Sequence, residues 1–140
     1  FPNGHNLRRA LAMSHSNLGW IFASTNRPEQ AEVAFREAVM LQRKHLADYP
    51  DQPEFRLEMA KYLFHLGNAL RDKGHSDEAE ATRSEAVAIF KQLVVEYPSR
   101  REFRQELIDR GLQEVRQSVG DEREADDSSI APSTNDIPKQ

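Results

Sequence analysis

The feature that most constrains the fold is an internal repeat with a period of 48 residues. Residues 11–58 align on residues 59–106 without a gap. The positions shared by the two copies include Leu18/Leu66, Gly19/Gly67, Ala31/Ala79, Ala38/Ala86, Tyr49/Tyr97 and Pro50/Pro98. A chain that repeats itself at this length builds one structural unit twice, and neighbouring units bury their apolar faces against each other.

Each copy is predicted to contain two amphipathic helices, because its apolar residues recur at spacings of three and four. The expected helices cover about residues 5–24, 28–49, 53–73 and 76–97. Together they form two long antiparallel hairpins of an all-α protein. We expect these hairpins to stack as a short right-handed solenoid.

The turn inside each copy has its own signals. Asn26 and Gly74 are the predicted turn residues, because both tolerate the left-handed backbone conformation of a helix end. Pro28 suits the first position of helix two, where its missing N–H would lack a partner anyway. Ser76 is the expected N-cap of helix four. Pro50 is expected to end helix two.

One face of each predicted helix is apolar. On helix one the expected buried face comprises Leu7, Leu11, Leu18, Ile21 and Phe22. On the next three helices it comprises Ala31, Ala34, Phe35, Ala38, Leu41 and Leu46; Phe55, Met59, Tyr62, Leu63, Leu66 and Leu70; and Ala79, Ala86, Ile89, Phe90, Leu93 and Val94. Small residues such as Gly67 and Ala86 are expected where two helices approach closely.

The third copy loses the pattern soon after it begins. Glu114 and Val115 stand where the first two copies have Leu-Gly. Residues 102–118 are therefore predicted to form a fifth helix that caps the stack, with Phe103, Leu107, Leu112 and Val115 inward. Residues 120–140 are acidic, polar and Pro-containing, and are predicted to be a disordered tail. The repeat domain is accordingly expected to span residues 1–119.

Charge and composition exclude several classes of function. The net charge of −4 is carried by residues 120–140, so residues 1–119 are neutral and lack the basic surplus of a nucleic-acid-binding protein. The absence of cysteine excludes disulfides and fits a reducing, cytoplasmic location. No apolar run is long enough to span a bilayer. The start at Phe1-Pro2 is interpreted as a cut within a longer repeat array.

The repeat resembles the tetratricopeptide repeat. The matching residues in the second copy are Leu66, Gly67, Leu70, Gly74, Ala79, Ala86 and Pro98, and in the first copy Leu18, Gly19, Phe22, Asn26, Ala31, Phe35, Ala38 and Pro50. Arg83 departs from the pattern, which expects a large apolar residue there. The period of 48 residues is also longer than the usual ~34 of the family. The resemblance covers about residues 5–118.

The long period, with its recurring LA, NLG, EA, YP and EFR segments, also resembles arrays found behind bacterial Ser/Thr protein kinase domains, notably in planctomycetes. The chain itself has no Gly-rich loop, no His-Arg-Asp and no Asp-Phe-Gly motif. The resemblance therefore leaves open an alternative role, in which this region selects substrates for a kinase or mediates its self-association.

The family resemblance implies a partner-binding groove lined by the first helix of each hairpin. The groove positions carried over from the family are Met13, Ser16, Trp20, Lys61, Phe64, Asn68 and Arg71. Ser16 and Trp20 stand where a clamp for a peptide carboxylate would need other residues, so that clamp is incomplete. We expect an extended or helical segment with an apolar anchor and an acidic group to dock there. The alternative is that Trp20 and Phe64 pack against a neighbouring repeat.

No enzymatic chemistry is expected. The five histidines show no His-x-x-x-His spacing and no cysteine or carboxylate cluster, so neither a metal site nor a cofactor is predicted. His15 and His65 are expected to cover the edge of the core. Arg8, Arg56 and Arg104 recur in register and are expected to form ion pairs between adjacent hairpins. The predicted function is that of an interaction scaffold for a protein or peptide, without nucleic-acid or membrane binding.

Overall fold

The computed structural model describes residues 4–110, which fold into helices joined by short turns. The helices are α1 Gly4–Ser24, α2 Pro28–Asp48, α3 Pro53–Asp72 and α4 Ser76–Glu96, followed by α5, which is described over residues 101–110. α1 packs on α2, α3 packs on α4, and α2 packs on α3. Two helical hairpins thus stack side by side. The predicted all-α repeat fold and the predicted bounds of its first four helices are confirmed.

The turn inside each hairpin has the same geometry in both copies. Asn26 has a φ of 59° and Gly74 a φ of 82°. The next amide reaches back to the last turn of the helix, from Arg27 N to Phe22 O at 2.8 Å and from His75 N to Leu70 O at 2.9 Å. This is the six-to-one hydrogen bond of a Schellman motif, which a left-handed residue makes possible. The prediction for both turn residues is confirmed.

The predicted cap at Ser76 is wrong. Ser76 is the first helical residue of α4, and His75 is the N-cap, without a side-chain capping hydrogen bond. The left-handed residue at position 74 leaves a single residue before the helix begins. The His75 carbonyl accepts the first helical hydrogen bond, from Ala79 N at 2.9 Å. Ser76 therefore takes the first helical position, as Pro28 does in the other copy.

The core follows the predicted faces of α2, α3 and α4. Its buried cluster comprises Ala12, Ala31, Phe35, Ala38, Val39, Met59, Ala60, Tyr62, Leu63, Phe64, Leu66, Ala69, Leu70, Ala79, Ala86 and Phe90. Alanines and glycines lie where the helices cross. Phe103 of α5 is also fully buried, in agreement with the prediction for the fifth helix.

The predicted buried face of α1 is largely wrong. Leu7 is 62% exposed and Ile21 58%, and Leu11 and Leu18 also remain exposed. α1 instead buries small residues of another face, since Ala12 and Ser16 are both buried. The apolar spacing identified a helix correctly, but in residues 4–110 no helix covers its leucine stripe.

The recurring arginines pair within a hairpin rather than between hairpins. Arg8 lies 2.6 Å from the Asp48 carboxylate, and Arg56 lies 2.6 Å from the Glu96 carboxylate. Each pair joins the first turns of one helix to the end of the next, since antiparallel helices bring these ends together. Arg104 instead donates to the Pro98 carbonyl at 2.7 Å. The expectation of pairs between adjacent hairpins was wrong for these arginines.

Some predictions fall outside the described residues. These are the end of the fifth helix, with Leu112 and Val115, and the acidic tail 120–140. In the described part of the chain, no helix is both long and apolar enough to span a bilayer.

Candidate partner-binding groove

A groove lies between the first helices of the two hairpins, and we name it the central groove. Its volume is about 340 Å³. It is lined by Met13, Ser16, Asn17 and Trp20 of α1 and by Glu58, Lys61, Tyr62 and His65 of α3. The groove exists because α2 packs on α3 and holds α1 beside it, so that both first helices face the same side.

Four of the predicted groove residues meet in this groove. Met13 and Trp20 are 48% and 54% exposed and form its apolar wall. Ser16 is buried at its base, and Lys61 lines the opposite wall on α3. The positions carried over for the first copy and Lys61 are thus brought together.

Phe64 does not line the central groove, and its predicted exposure to a partner is wrong. It is 3% exposed and belongs to the core cluster. The guanidinium carbon of Arg83 lies 5.1 Å from the centre of its ring, and that of Arg110 lies 4.9 Å away. Two long side chains therefore cover the ring, and both are positioned for cation–π attraction.

Asn68 and Arg71 lie further along α3, outside the central groove. Asn68 is half-buried and Arg71 is exposed. Among the described residues, no hydrogen bond or ion pair is formed by either side chain. Both polar groups are therefore available on the α3 surface, although they do not complete a wall opposite Trp20.

Trp20 is held in place by a histidine that the sequence did not single out for the site. Its indole Nε1 donates to Nε2 of His65 at 3.4 Å, and the two rings meet edge to face with centroids 5.4 Å apart. His65 stacks in turn on the buried Phe35, with ring centroids 5.6 Å apart. A half-exposed tryptophan is thereby anchored to the core through an imidazole.

The electrostatic state of His65 suits this role. Burial lowers its pKa to about 4, and the positive charges of Arg110 and Lys61 act in the same direction. The imidazole is therefore neutral at pH 7, with one ring nitrogen free to accept a hydrogen bond. The Trp20 contact uses that nitrogen.

Ion pairs join the first helices of successive units along this side. Arg9 of α1 donates from Nε to the Glu58 carboxylate of α3 at 3.0 Å, and Lys61 of α3 lies 3.1 Å from Glu106 of α5. Burial and the Glu58 charge raise the pKa of Tyr62 to about 12. Because Lys61 pairs with Glu106, its charge is partly neutralised before any partner binds.

Half of the residues that line the central groove were not predicted from the sequence. Asn17, Glu58, Tyr62 and His65 were not assigned to the groove. A signal existed for Glu58, because Glu106 repeats it 48 residues later. None existed for His65, because its equivalent in the first copy is Asn17 and the histidine therefore does not repeat.

The matches to a known protein family fall on the two hairpins. Residues 14–45, within α1 and α2, and residues 60–93, within α3 and α4, match the family model of the tetratricopeptide repeat. No match is found among curated proteins or among solved structures. Each hairpin thus matches the tetratricopeptide repeat, a family whose repeats generally mediate protein–protein interaction.

Proposed function

We propose that the domain binds a segment of another protein in the central groove, with an apolar side chain of that segment packed against Trp20. The proposal rests on two properties of Trp20, its exposure and its fixed orientation. Trp20 is 54% exposed and yet is oriented by His65. Tryptophan is enriched among residues that dominate binding energy, and a side chain already fixed in place loses less entropy on binding.

The charges of the site favour a segment that also carries an acidic group. Asn68 and Arg71 offer polar and positive groups on the same helix as the α3 wall. Because Lys61 and Arg9 are already paired, Arg71 is the better candidate to attract a carboxylate. The partner segment is therefore an apolar anchor followed by an acidic residue.

The test uses the single tryptophan of the chain. Peptides selected from a displayed random library on the immobilised domain would be titrated against it. Selected peptides should share the apolar–acidic pattern and should change the Trp20 fluorescence. Labelled peptide should bind the Trp20→Ala variant at least about tenfold more weakly, as expected for the loss of a central aromatic contact.

The matched control is Ile21→Ala. Ile21 is the next residue of α1, is 58% exposed and lies outside the central groove. Its truncation should leave peptide affinity unchanged. Equal loss of affinity in both variants, or selected peptides that leave the Trp20 fluorescence unchanged, would count against the proposal.

A kinase-associated role remains a second proposal and rests on the resemblance of the long repeat alone. In that case the central groove would select the substrate, or the array would mediate self-association. The same peptide selection distinguishes a substrate-selecting groove from a general interaction groove, because a substrate-selecting groove should enrich peptides that contain serine or threonine beside the anchor. A cytoplasmic location is also a proposal, and it rests on the absence of cysteine.

A further inference from the structure

A second apolar groove lies on the outer side of the α1–α2 hairpin, and we name it the outer face. Its volume is about 740 Å³. It is lined by His15, Leu18, Phe22, Glu29, Gln30, Val33, Ala34 and Glu37. Leu18 is 44% exposed and Val33 69%. Residues 4–110 leave this face open.

The equivalent face of the second hairpin is occupied by α2. Four residues of the outer face have counterparts 48 positions later that line the joint between α2 and the α3–α4 hairpin: His15/Leu63, Leu18/Leu66, Ala34/Thr82 and Glu37/Glu85. At that joint Leu63 and Leu66 are only 2% and 4% exposed. The outer face thus repeats, in sequence register, a surface on which this chain already packs a helix.

The charges at the occupied joint show what such a helix brings. Arg36 and Arg43 of α2 pair with the acids of α4, Arg36 with Glu78 at 2.6 Å and Arg43 with Glu85 at 2.9 Å. The counterpart of Glu85 on the outer face is Glu37. In the described part of the chain, the Glu37 carboxylate has no ion pair and no hydrogen bond.

The rim of the outer face also argues against a symmetric dimer through this face. Glu29 and Glu37 both border it. A second copy related by a two-fold axis would present the same acidic rim, and like charges that meet across an interface oppose association. A helix whose apolar stripe is flanked by arginines, as that of α2 is, complements the rim.

We propose that the outer face binds an amphipathic helix with the pattern of α2, supplied by a further copy of the 48-residue unit, and that an arginine at the position of Arg43 pairs with Glu37. The apolar stripe of that helix covers Leu18 and Val33. The site lies apart from the central groove and does not depend on the function proposed for it.

The test adds such a helix to the chain in place of residues 1–3. A copy of residues 28–51 is placed directly before Gly4, which preserves the spacing between α2 and the following helix because residue 52 is equivalent to residue 4. The tether gives a high effective concentration. The added helix should raise the Tm by roughly 5 °C or more. It should also slow thiol labelling of a Leu18→Cys variant several-fold, which is measurable because the chain has no other cysteine.

A charge swap then tests the pairing. Arg43→Glu in the added copy should reduce the gain in Tm, and Glu37→Arg in the body of the protein should restore it. The same swap at Glu85 is the control. Glu85→Arg breaks the resident pair with Arg43 and lowers the Tm with or without the added helix, but it restores the lost gain only if the added helix displaces the resident α2. Such displacement, an unchanged Tm and labelling rate, or a concentration-dependent dimer that buries Leu18 without the added helix would each overturn the proposal.

Discussion

The side chain of Arg83 lies beside Gly67 in the place that the ring of Phe35 takes beside Gly19. A Cβ atom on Gly19 would lie 2.6 Å from the Phe35 ring, and one on Gly67 would overlap Cγ of Arg83. The methylene stem of the arginine thus fills the space that an aromatic ring fills in the other copy. The departure from the family pattern at this position is therefore a substitution of one apolar volume for another.

The first prediction separates the stem of Arg83 from its charge. Arg83 is 8% exposed, and within residues 4–110 its Nε has no hydrogen-bond partner. Arg83→Ala should lower the free energy of unfolding by about 2 kcal/mol, because it leaves a cavity. Arg83→Phe should stay within about 1 kcal/mol of the wild type, because the ring refills the space. Urea denaturation measures both, and equal losses would mean that the guanidinium, not the stem, stabilises the joint.

The second prediction compares the two glycines. An added methyl group in a helix is worth about 1 kcal/mol in propensity. At Gly19 it meets the rigid, buried ring of Phe35, so Gly19→Ala should lose about 1–2 kcal/mol overall. At Gly67 it meets Cγ of Arg83, close to that residue's own backbone, and lies 3.2 Å from the backbone oxygen of Ala79, so Gly67→Ala should cost at least as much. Gly19→Ala should cost less in a Phe35→Leu background than in the wild type, because the different side chain can leave room for the methyl group. Additive losses in the double variant would contradict the steric explanation.

The third prediction ranks two ion pairs by burial. Glu58 accepts from Arg9 and also from Gln42 Nε2 at 3.2 Å, and its side chain is 18% exposed. Glu58→Ala should cost about 1–3 kcal/mol, since it leaves partly buried donors without an acceptor. Asp48, which pairs with Arg8, is 52% exposed, and Asp48→Ala should cost less than about 1 kcal/mol. Chemical denaturation of both variants provides the comparison, and the reverse order would contradict it.

The helices could be predicted from the sequence because local signals mark them. Pro28, Asn26 and Gly74 fix the backbone where the chain turns, and Asn26 and Gly74 mark the same turn at equivalent positions of the two copies. The burial of α1 could not be predicted in the same way. A spacing of three and four shows that Leu11 and Leu18 share a helix face, but it carries no information about which element covers that face.

The central groove was predicted only in part, because contacts with other helices also decide which residues line it. Met13 and Trp20 were predicted because the family resemblance places their positions in the groove. Phe64 was misplaced because the residues that cover it, Arg83 and Arg110, belong to other helices. His65 was missed because its role arises only when three helices bring Trp20, His65 and Phe35 together.

The last prediction concerns the pH dependence of stability. The pKa of His65 is about 4 in the folded protein and 6.5 for the free side chain. Between these values the unfolded chain binds a proton that the folded chain does not, so the free energy of unfolding falls as the pH falls, by about 2 kcal/mol between pH 7.5 and 5.0. His65→Gln cannot titrate but can still accept a hydrogen bond from Trp20. Urea denaturation at both pH values should show a loss smaller by that amount in the variant, because all carboxylates and the other histidines remain. Parallel losses in wild type and variant would mean that His65 is readily protonated in the folded state, which would contradict the anchoring of Trp20 by a neutral imidazole.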